Sequence, residues 1–259
     1  MAGVAAALKE QGHLVSGSDN GVYPPMSVFL AEREIPYYDS FDEEHIAALG
    51  RETMIVIGNA MSRGNAEVEA VLNRRLPYTS LSQLVGAEMI DGATSIVIAG
   101  THGKSTTSSL AAWVLESAGR KPGFLIGGIP QNFGQGCRLP QPENGVFVTE
   151  GDEYDTAFFD KRSKFVHYRP DIAVINNVEF DHADIFDNLE HVKRSFRQFV
   201  NVVRGEGLLV VNGDDIHAME VVVGAQTPVL TVGCGETCDL QGSDIRFVDG
   251  GTSFTVTDT

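Results

Sequence analysis

The stretch Ala99-Gly-Thr-His-Gly-Lys-Ser-Thr-Thr107 gathers residue types that handle phosphate. Glycines allow a tight turn whose backbone N–H groups converge, a lysine adds a mobile positive charge, and a serine hydroxyl can bind a divalent cation. The flanks suit such a turn. Ser95-Ile96-Val97-Ile98 predicts a strand before it, and Ser108 to Leu115 predicts a helix after it. Leu110, Trp113, Val114 and Ser117 recur along one face of that helix, and Gly119 stands where a glycine closes it. Lys104 would reach the outer phosphates and Ser105 is placed for Mg²⁺. A strict phosphate-loop pattern needs glycine at position 98; Ile98 stands there, and Gly100 and Gly103 bracket only Thr101 and His102. The residues point to a nucleoside triphosphate site.

Two more segments follow predicted strands, where parallel α/β sheets collect their ligands. Glu150, Asp152, Glu153 and Asp155 crowd one short loop, and such acids repel one another unless a cation is near. A Mg²⁺–nucleotide site would supply one; a solvated acidic loop is the alternative. Asn176-Asn177-Val-Glu-Phe-Asp181-His182-Ala-Asp184 holds a histidine between two aspartates. Imidazole is an unusual ligand for hard Mg²⁺, so composition leaves His182 open between metal and surface roles.

Elements must position these groups. Met1 to Gly12 reads as a helix closed by glycine, followed by a strand at His13–Ser16 and a polar stop at Gly17-Ser18-Asp19. In a dinucleotide-type unit a strand and glycine loop precede such a helix, and an acid ending the second strand faces the ribose. The acid is Asp19, while the preceding strand is missing, so the expectation is a truncated Rossmann-like domain. Helices follow near 25–33 and 42–49, then a strand at Met54–Ile57 and a ligand-facing loop, Gly58–Gly64, that includes Asn59. Asn65 caps a helix to Arg74, and a further helix spans Leu81–Met89. Asp91-Gly92-Ala93 reads as a linker, which divides the chain into domains 1–92 and 93–259.

The second domain has short apolar strands at Ser95–Ala99, Phe124–Ile126, Val146–Thr149, Ile172–Ile175, Leu208–Val211 and Val229–Val232. Unalternated runs of this kind suit strands buried on both faces. Helices are predicted at Leu189–Val203 and Asp214–Val223, and a hairpin around Asp249-Gly250-Gly251. The fold class is α/β: a truncated Rossmann-like N-terminal domain, then a P-loop α/β central domain with a mainly parallel sheet.

A chain of 259 residues with 42% hydrophobic content has ample core for two domains. A formal charge of −16 argues against nucleic acid or an acidic membrane as partner. Cys137, Cys234 and Cys238 form neither a metal nor a disulfide framework and read as reduced thiols. The sequence has no run of 18 apolar residues and no basic-then-apolar leader, which reads as cytoplasmic.

Together these residues resemble the Mur ligase family, which builds the peptide of bacterial peptidoglycan. Gly100-Thr101-His102-Gly103-Lys104-Ser105-Thr106 is similar to the family's ATP loop, shortened spacing included. The resemblance implies ATP and Mg²⁺ as cofactors, with Ser105 and Glu150 on one metal and His182 on a second. Lys104, Asn177 and His182 would be catalytic, and Asn177 matches the family's strand-end asparagine. Gly17-Ser18-Asp19 resembles the muramate branch, so Ser18, Asp19 and Asn59 are expected to bind the UDP-sugar.

Within that branch, Asp152–Phe165 and Asn177–Phe186 resemble ligases that join L-alanyl-γ-D-glutamyl-meso-diaminopimelate to UDP-N-acetylmuramate through an acyl phosphate. Lys161, Arg162 and Lys164 would meet carboxylates of that peptide or remain solvated. The family's carbamylated lysine has no clear counterpart, with only Lys193 or Arg197 near its place. The family's first strand and its carboxyl-terminal domain are not found, so a fragment is expected. Two rivals stay open: the ligase that adds L-alanine to the same sugar, and a nucleotide-binding module without ligase activity.

Overall fold

The computed structural model describes residues 1–142, 145–181 and 186–259. The first ninety residues alternate helix and short strand: α1 (Ala2–Glu10), β1 (Gly17–Ser18), α2 (Met26–Glu32), β2 (Tyr37–Tyr38), α3 (Glu43–Ala47), β3 (Ile55–Ile57), α4 (Ala66–Arg74), β4 (Tyr78–Ser80) and α5 (Leu81–Val85). α5 continues into a π-helical turn over Gly86–Ile90. β1 pairs in parallel with β2 and β3 with β4, each pair joined across a helix, as parallel pairing requires. Side-chain caps fix three helix starts: Asp42 on α3, Asn65 on α4, and a Ser80–Gln83 capping box on α5.

The strand expected at His13–Ser16 forms instead at Gly17–Ser18, and Leu14 is fully exposed. A strand needs a neighbour's N–H and C=O groups. The backbone that supplies them here is Pro36–Tyr38, which bonds Gly17 and Asp19 and pairs along Gly17–Ser18. Apolar character at Leu14 and Val15 could not reveal that register.

The rest of the chain builds the main sheet. In order come β5 (Thr94–Ala99), α6 (Lys104–Ser117), β6 (Gly123–Leu125), β7 (Cys137–Arg138), β8 (Val146–Gly151), β9 (Asp155–Ala157) and β10 (Asp160–Ser163). A 3₁₀ turn at Lys164–His167 leads to β11 (Ile172–Ile175), α7 (Leu189–Asn201), β12 (Leu208–Asn212), α8 (Ile216–Val221), β13 (Val229–Gly233), β14 (Leu240–Val248) and β15 (Gly251–Asp258). Among the described residues nine strands form one sheet, in the order β15-β14-β13-β12-β11-β5-β8-β6-β7. Its interior is parallel, and only the edge strands β15 and β7 pair antiparallel. β9 and β10 form a separate hairpin.

Both faces of the sheet are covered, which explains the unalternated strands. Along β5, Val97 and Ala99 join a core with Phe147, Ile175, Phe165, Phe196 and Phe199, whereas Ile98 joins Val148, Phe124 and Ala112 on the opposite face. Val85, Met89 and Ile90 of α5 and the π turn pack into the first of these cores.

α6 turns a different side inward from its apolar stripe. Ser108 and Ala112 are fully buried, while Leu110, Trp113 and Val114 are 61, 41 and 58% exposed. The loop before α6 is pinned at Thr101 and His102, so the helix rotation is set there, and small residues let it lie close on β5 and β8.

Candidate active site

The sheet reverses its order of growth at β5. The chain proceeds from β5 to β6, β7 and β8 on one side and then crosses to β11 on the other. Ligands collect outside the carboxyl ends of strands at such a switch point. Three predicted stations end there together. Register pairs Ile98 with Glu150 and Ala99 with both Gly151 and Ile175, so the glycine loop, the acidic loop and the Asn176-Asn177 segment leave adjacent strands side by side.

The loop is held from below by that last segment. Gly100 has φ +150°, and a β-carbon there would lie 2.9 Å from Asn176 Cβ and 3.3 Å from the Asn177 nitrogen. The His102 N–H donates to Asn177 Oδ1 (2.8 Å), and Asn177 Nδ2 donates back to the His102 carbonyl (3.3 Å). Thr101 N–H donates to the Asn177 carbonyl, and the Glu179 N–H donates to Thr101 Oγ1 at 2.9 Å. Asn176 Nδ2 reaches Thr107 Oγ1 (3.1 Å) across the start of α6. Asn177 therefore acts here on the loop's shape.

With the amides of Thr101 and His102 committed, the donors left to a ligand include those of α6 itself. The first intrahelical bond runs from Thr107 N–H to the Gly103 carbonyl, so the N–H groups of Lys104, Ser105 and Thr106 precede the helical ladder and point out of its positive end. Gly103 caps the helix at φ +80°, a conformation that suits glycine. A helix start of this kind suits an anion.

Beside it lies a hard-oxygen pair. Ser105 Oγ donates to Glu150 Oε2 (3.0 Å), and the Gly127 N–H donates to Glu150 Oε1 (2.7 Å). The other acids of the loop have cations: Lys164 on Asp152 at 2.6 Å, Lys104 on Glu153 at 2.9 Å, and Lys161 on Asp155 at 2.8 Å. The repulsion expected from sequence is thus relieved mainly by lysines. Among the described residues no basic side chain is placed on Glu150, whose carboxylate takes only neutral donors. A serine hydroxyl and a carboxylate beside an open helix N-terminus are a donor set that fits Mg²⁺.

Sequence placed Lys161, Arg162 and Lys164 opposite a ligand or in solvent; the structure gives all three internal acids. Arg162 pairs at 2.6 Å with Asp160, two residues back on the same strand, and holds that carboxyl below the usual range, while the pairing of β10 with β9 brings Lys161 to Asp155. Phe159 at the tip of the hairpin meets Tyr78 edge-on, with ring centroids 5.0 Å apart. Lys193 is buried against Glu220, and Arg197 pairs with Glu190.

Ser18 closes β1 and Asp19 follows it, and Asn59 follows β3 by two residues, exposed. They stand at carboxyl ends in two separate strand pairs. His182 and Asp184 lie outside the described residues. Several participants escaped sequence reading. Gly127 orients Glu150, Asn212 Nδ2 donates to the Asn176 carbonyl at 2.9 Å, and Asp215 accepts from the Val178 N–H while capping α8. The usable signal was Asn212-Gly-Asp-Asp215, polar residues directly after a buried strand.

Comparison with known proteins agrees with this arrangement. Residues 98–259 match the Mur ligase middle domain, and residues 1–92 match the model described as the Mur ligase family catalytic domain. The UDP-N-acetylmuramate–L-alanyl-γ-D-glutamyl-meso-2,6-diaminoheptandioate ligase of Escherichia coli K12 is 43% identical over 93% of this chain and 50% of its own length. A UDP-N-acetylmuramate–L-alanine ligase of Caldanaerobacter subterraneus is 34% identical over 99% of this chain and 53% of its own.

A crystal structure of the corresponding diaminopimelate-peptide ligase from Neisseria meningitides superposes with a TM-score of 0.91 at 46% identity, covering 99% of this chain and 80% of that one. A murein peptide ligase from Psychrobacter arcticus gives a TM-score of 0.87 at 34% identity, covering all of this chain and 56% of that one. The chain spans about half the length of the curated relatives it matches. With residues 1–92 and 98–259 matching the two family models and a 43% identical ligase covering 93% of it, the chain belongs to the Mur ligase family.

Proposed function

We propose that this chain is the nucleotide- and sugar-binding part of an ATP-dependent ligase that joins L-alanyl-γ-D-glutamyl-meso-diaminopimelate to UDP-N-acetylmuramate in the cytoplasm, during recycling of cell-wall peptide. The observation that carries the reading is Ser105 and Glu150 held together beside the open amides of α6. The 43% identity to a ligase of that name supports the substrate. Residues 1–92 would hold the UDP-sugar through Ser18, Asp19 and Asn59, and residues 93–259 the ATP through Gly100 to Thr106.

Amide formation from a carboxylate needs a better leaving group than oxide. Lys104 and the amides of Lys104, Ser105 and Thr106 would draw charge from the triphosphate as its terminal phosphoryl passes to the lactyl carboxylate. The acyl phosphate would then be attacked by the peptide's amine. Mg²⁺, held by Ser105 and Glu150 with His182 as the candidate for a second ion, supplies charge neutralisation to the phosphates when bound. Asn177 keeps His102 and Thr101 in the shape that leaves the start of α6 open.

The test is acceptor choice. Full-length protein carrying this chain should release ADP and phosphate only with UDP-N-acetylmuramate present, and mass spectrometry should show the diaminopimelate tripeptide joined in preference to free L-alanine. Preference for L-alanine would move the assignment to the sister ligase. Nucleotide binding with no product from any acceptor would leave a binding module.

A further inference from the structure

Lys104 is in no position to serve a phosphate as it stands. An ammonium has three N–H donors. Lys104 Nζ lies 2.7 Å from the Gly100 carbonyl, 3.3 Å from that of Thr101, and 2.9 and 3.1 Å from the two oxygens of Glu153. These acceptors occupy every donor it has. The ion pair is also sheltered, with the Lys104 side chain 17% exposed and that of Glu153 only 2%, so water screens it little. Glu153 has small freedom to follow the lysine outward. The residues around it are tied down: Asp152 to Lys164 by an ion pair, and the Asp152 and Tyr154 carbonyls to the Phe165 and Lys164 N–H groups.

Resting on the reading of this loop as a triphosphate site, we propose that Glu153 is a positioning residue that holds Lys104 retracted in the nucleotide-free loop, and that a triphosphate binds by drawing the ammonium away from it. Three features converge on this. The carboxylate is almost wholly buried, both of its oxygens meet the one lysine of the loop, and it follows by two residues the end of β8, the strand that carries Glu150. Glu150 and Glu153 then divide the work of the acidic loop. Glu150 keeps its charge available to a cation, and Glu153 competes with phosphate for the lysine. The device selects for length: a polyphosphate that reaches Lys104 can displace Glu153, and a monophosphate that stops short gains nothing from the lysine.

The experiment is calorimetric titration of the 259-residue chain and its Glu153→Gln variant with adenylyl-imidodiphosphate plus Mg²⁺, and separately with AMP. The amide keeps the volume and an acceptor but loses the charge that makes the hydrogen bond strong, so the triphosphate analogue should bind about tenfold tighter. AMP affinity should stay within about twofold, since no charge-assisted contact to Lys104 is at stake. Weaker or unchanged binding of the analogue by a folded variant overturns the proposal, as does an equal gain for AMP. A Lys104→Ala control separates this from failure of the phosphate-loop reading: if it binds the analogue as well as the parent, that reading falls and the proposal with it. Should Glu153→Gln not fold, amine acylation of the unaltered chain decides. Lys104 should react at least about ten times more slowly than Lys161, whose side chain is 70% exposed, because all its donors are engaged. Equal rates overturn the proposal.

Discussion

Replacing Gly100 by alanine should damage the loop more than any other single methyl group placed in it, and the structure gives the size of the effect. Three glycines with positive φ form a graded series. Gly119, at the end of α6, has φ +74° and open space where a β-carbon would go. Gly119→Ala therefore costs only the left-handed backbone penalty, about 1–2 kcal/mol. Gly103 has φ +80°, and its added carbon would come 3.3 Å from Asn176 Nδ2, a side-chain end that can shift slightly. Its cost should be about 2 kcal/mol, mostly backbone. Gly100 has φ +150°, and the added carbon would lie 2.9 Å from Asn176 Cβ and 3.3 Å from both the Asn177 nitrogen and the His102 carbonyl oxygen.

Neither of those backbone atoms can retreat without breaking the hydrogen bonds that hold Thr101 and His102. Strain of about 1–3 kcal/mol adds to overpacking of about 1–3 kcal/mol, for about 4 kcal/mol in all. At about 2–4 °C per kcal/mol for a chain of this size, the melting temperature should drop by about 8–16 °C. Thermal melts of the three variants by circular dichroism, paired with nucleotide titrations, test the ordering. Gly100→Ala melting within about 3 °C of the Gly119→Ala variant would refute the close packing of the loop on Asn176, since the strain common to both cancels in that difference.

Further outcomes follow from the same contacts. Glu150→Gln removes the carboxylate charge beside Ser105, so the gain in adenylyl-imidodiphosphate affinity on adding Mg²⁺ should largely vanish while metal-free binding stays; an unchanged Mg²⁺ response in calorimetry would remove Glu150 from the metal site. Asn177→Ala loses both bonds to His102 and should weaken nucleotide binding about tenfold, in line with about 1–2 kcal/mol for an exposed pair of hydrogen bonds. Intact binding with lost turnover in the full-length protein would instead make Asn177 catalytic. Burial holds the His167 pKa below its ordinary value, with Asp160 opposing. Below about pH 6.5 the unfolded chain takes up a proton that the folded chain resists, so stability should fall as pH drops from there through the folded value. His167→Gln should flatten that slope in melts between about pH 8 and 5, and a slope equal to that of the parent would show that other groups carry it.

Local chemistry made much of this protein legible from sequence. Glycine is needed where φ is positive, so Gly100 and Gly103 marked the turn, and Lys104-Ser105 after them marked the helix start and its charge. Strands buried on both faces must be apolar throughout, so the parallel sheet could be read from runs such as Ser95–Ala99 and Ile172–Ile175. Capping residues act within three or four positions, which is why Asn65 announced α4.

Tertiary structure decided whatever depends on partners distant in the chain. Strand order and register bring Glu150 to Ser105, 45 residues away, and Asn177 to His102, 75 residues away. No local pattern encodes either meeting. The same holds for the short strand at Gly17–Ser18, which exists where Tyr37–Tyr38 offers backbone groups and not where Leu14 is apolar. It holds for α6, whose rotation is set by the pinned loop and not by the stripe of Leu110, Trp113 and Val114. It holds most of all for charge. A row of acids and a row of lysines look alike in sequence whether they await a ligand or each other. Only the fold could show that Asp152, Glu153 and Asp155 have cations of their own, because Coulomb energy depends on distance in space and burial, which separation along the chain does not determine.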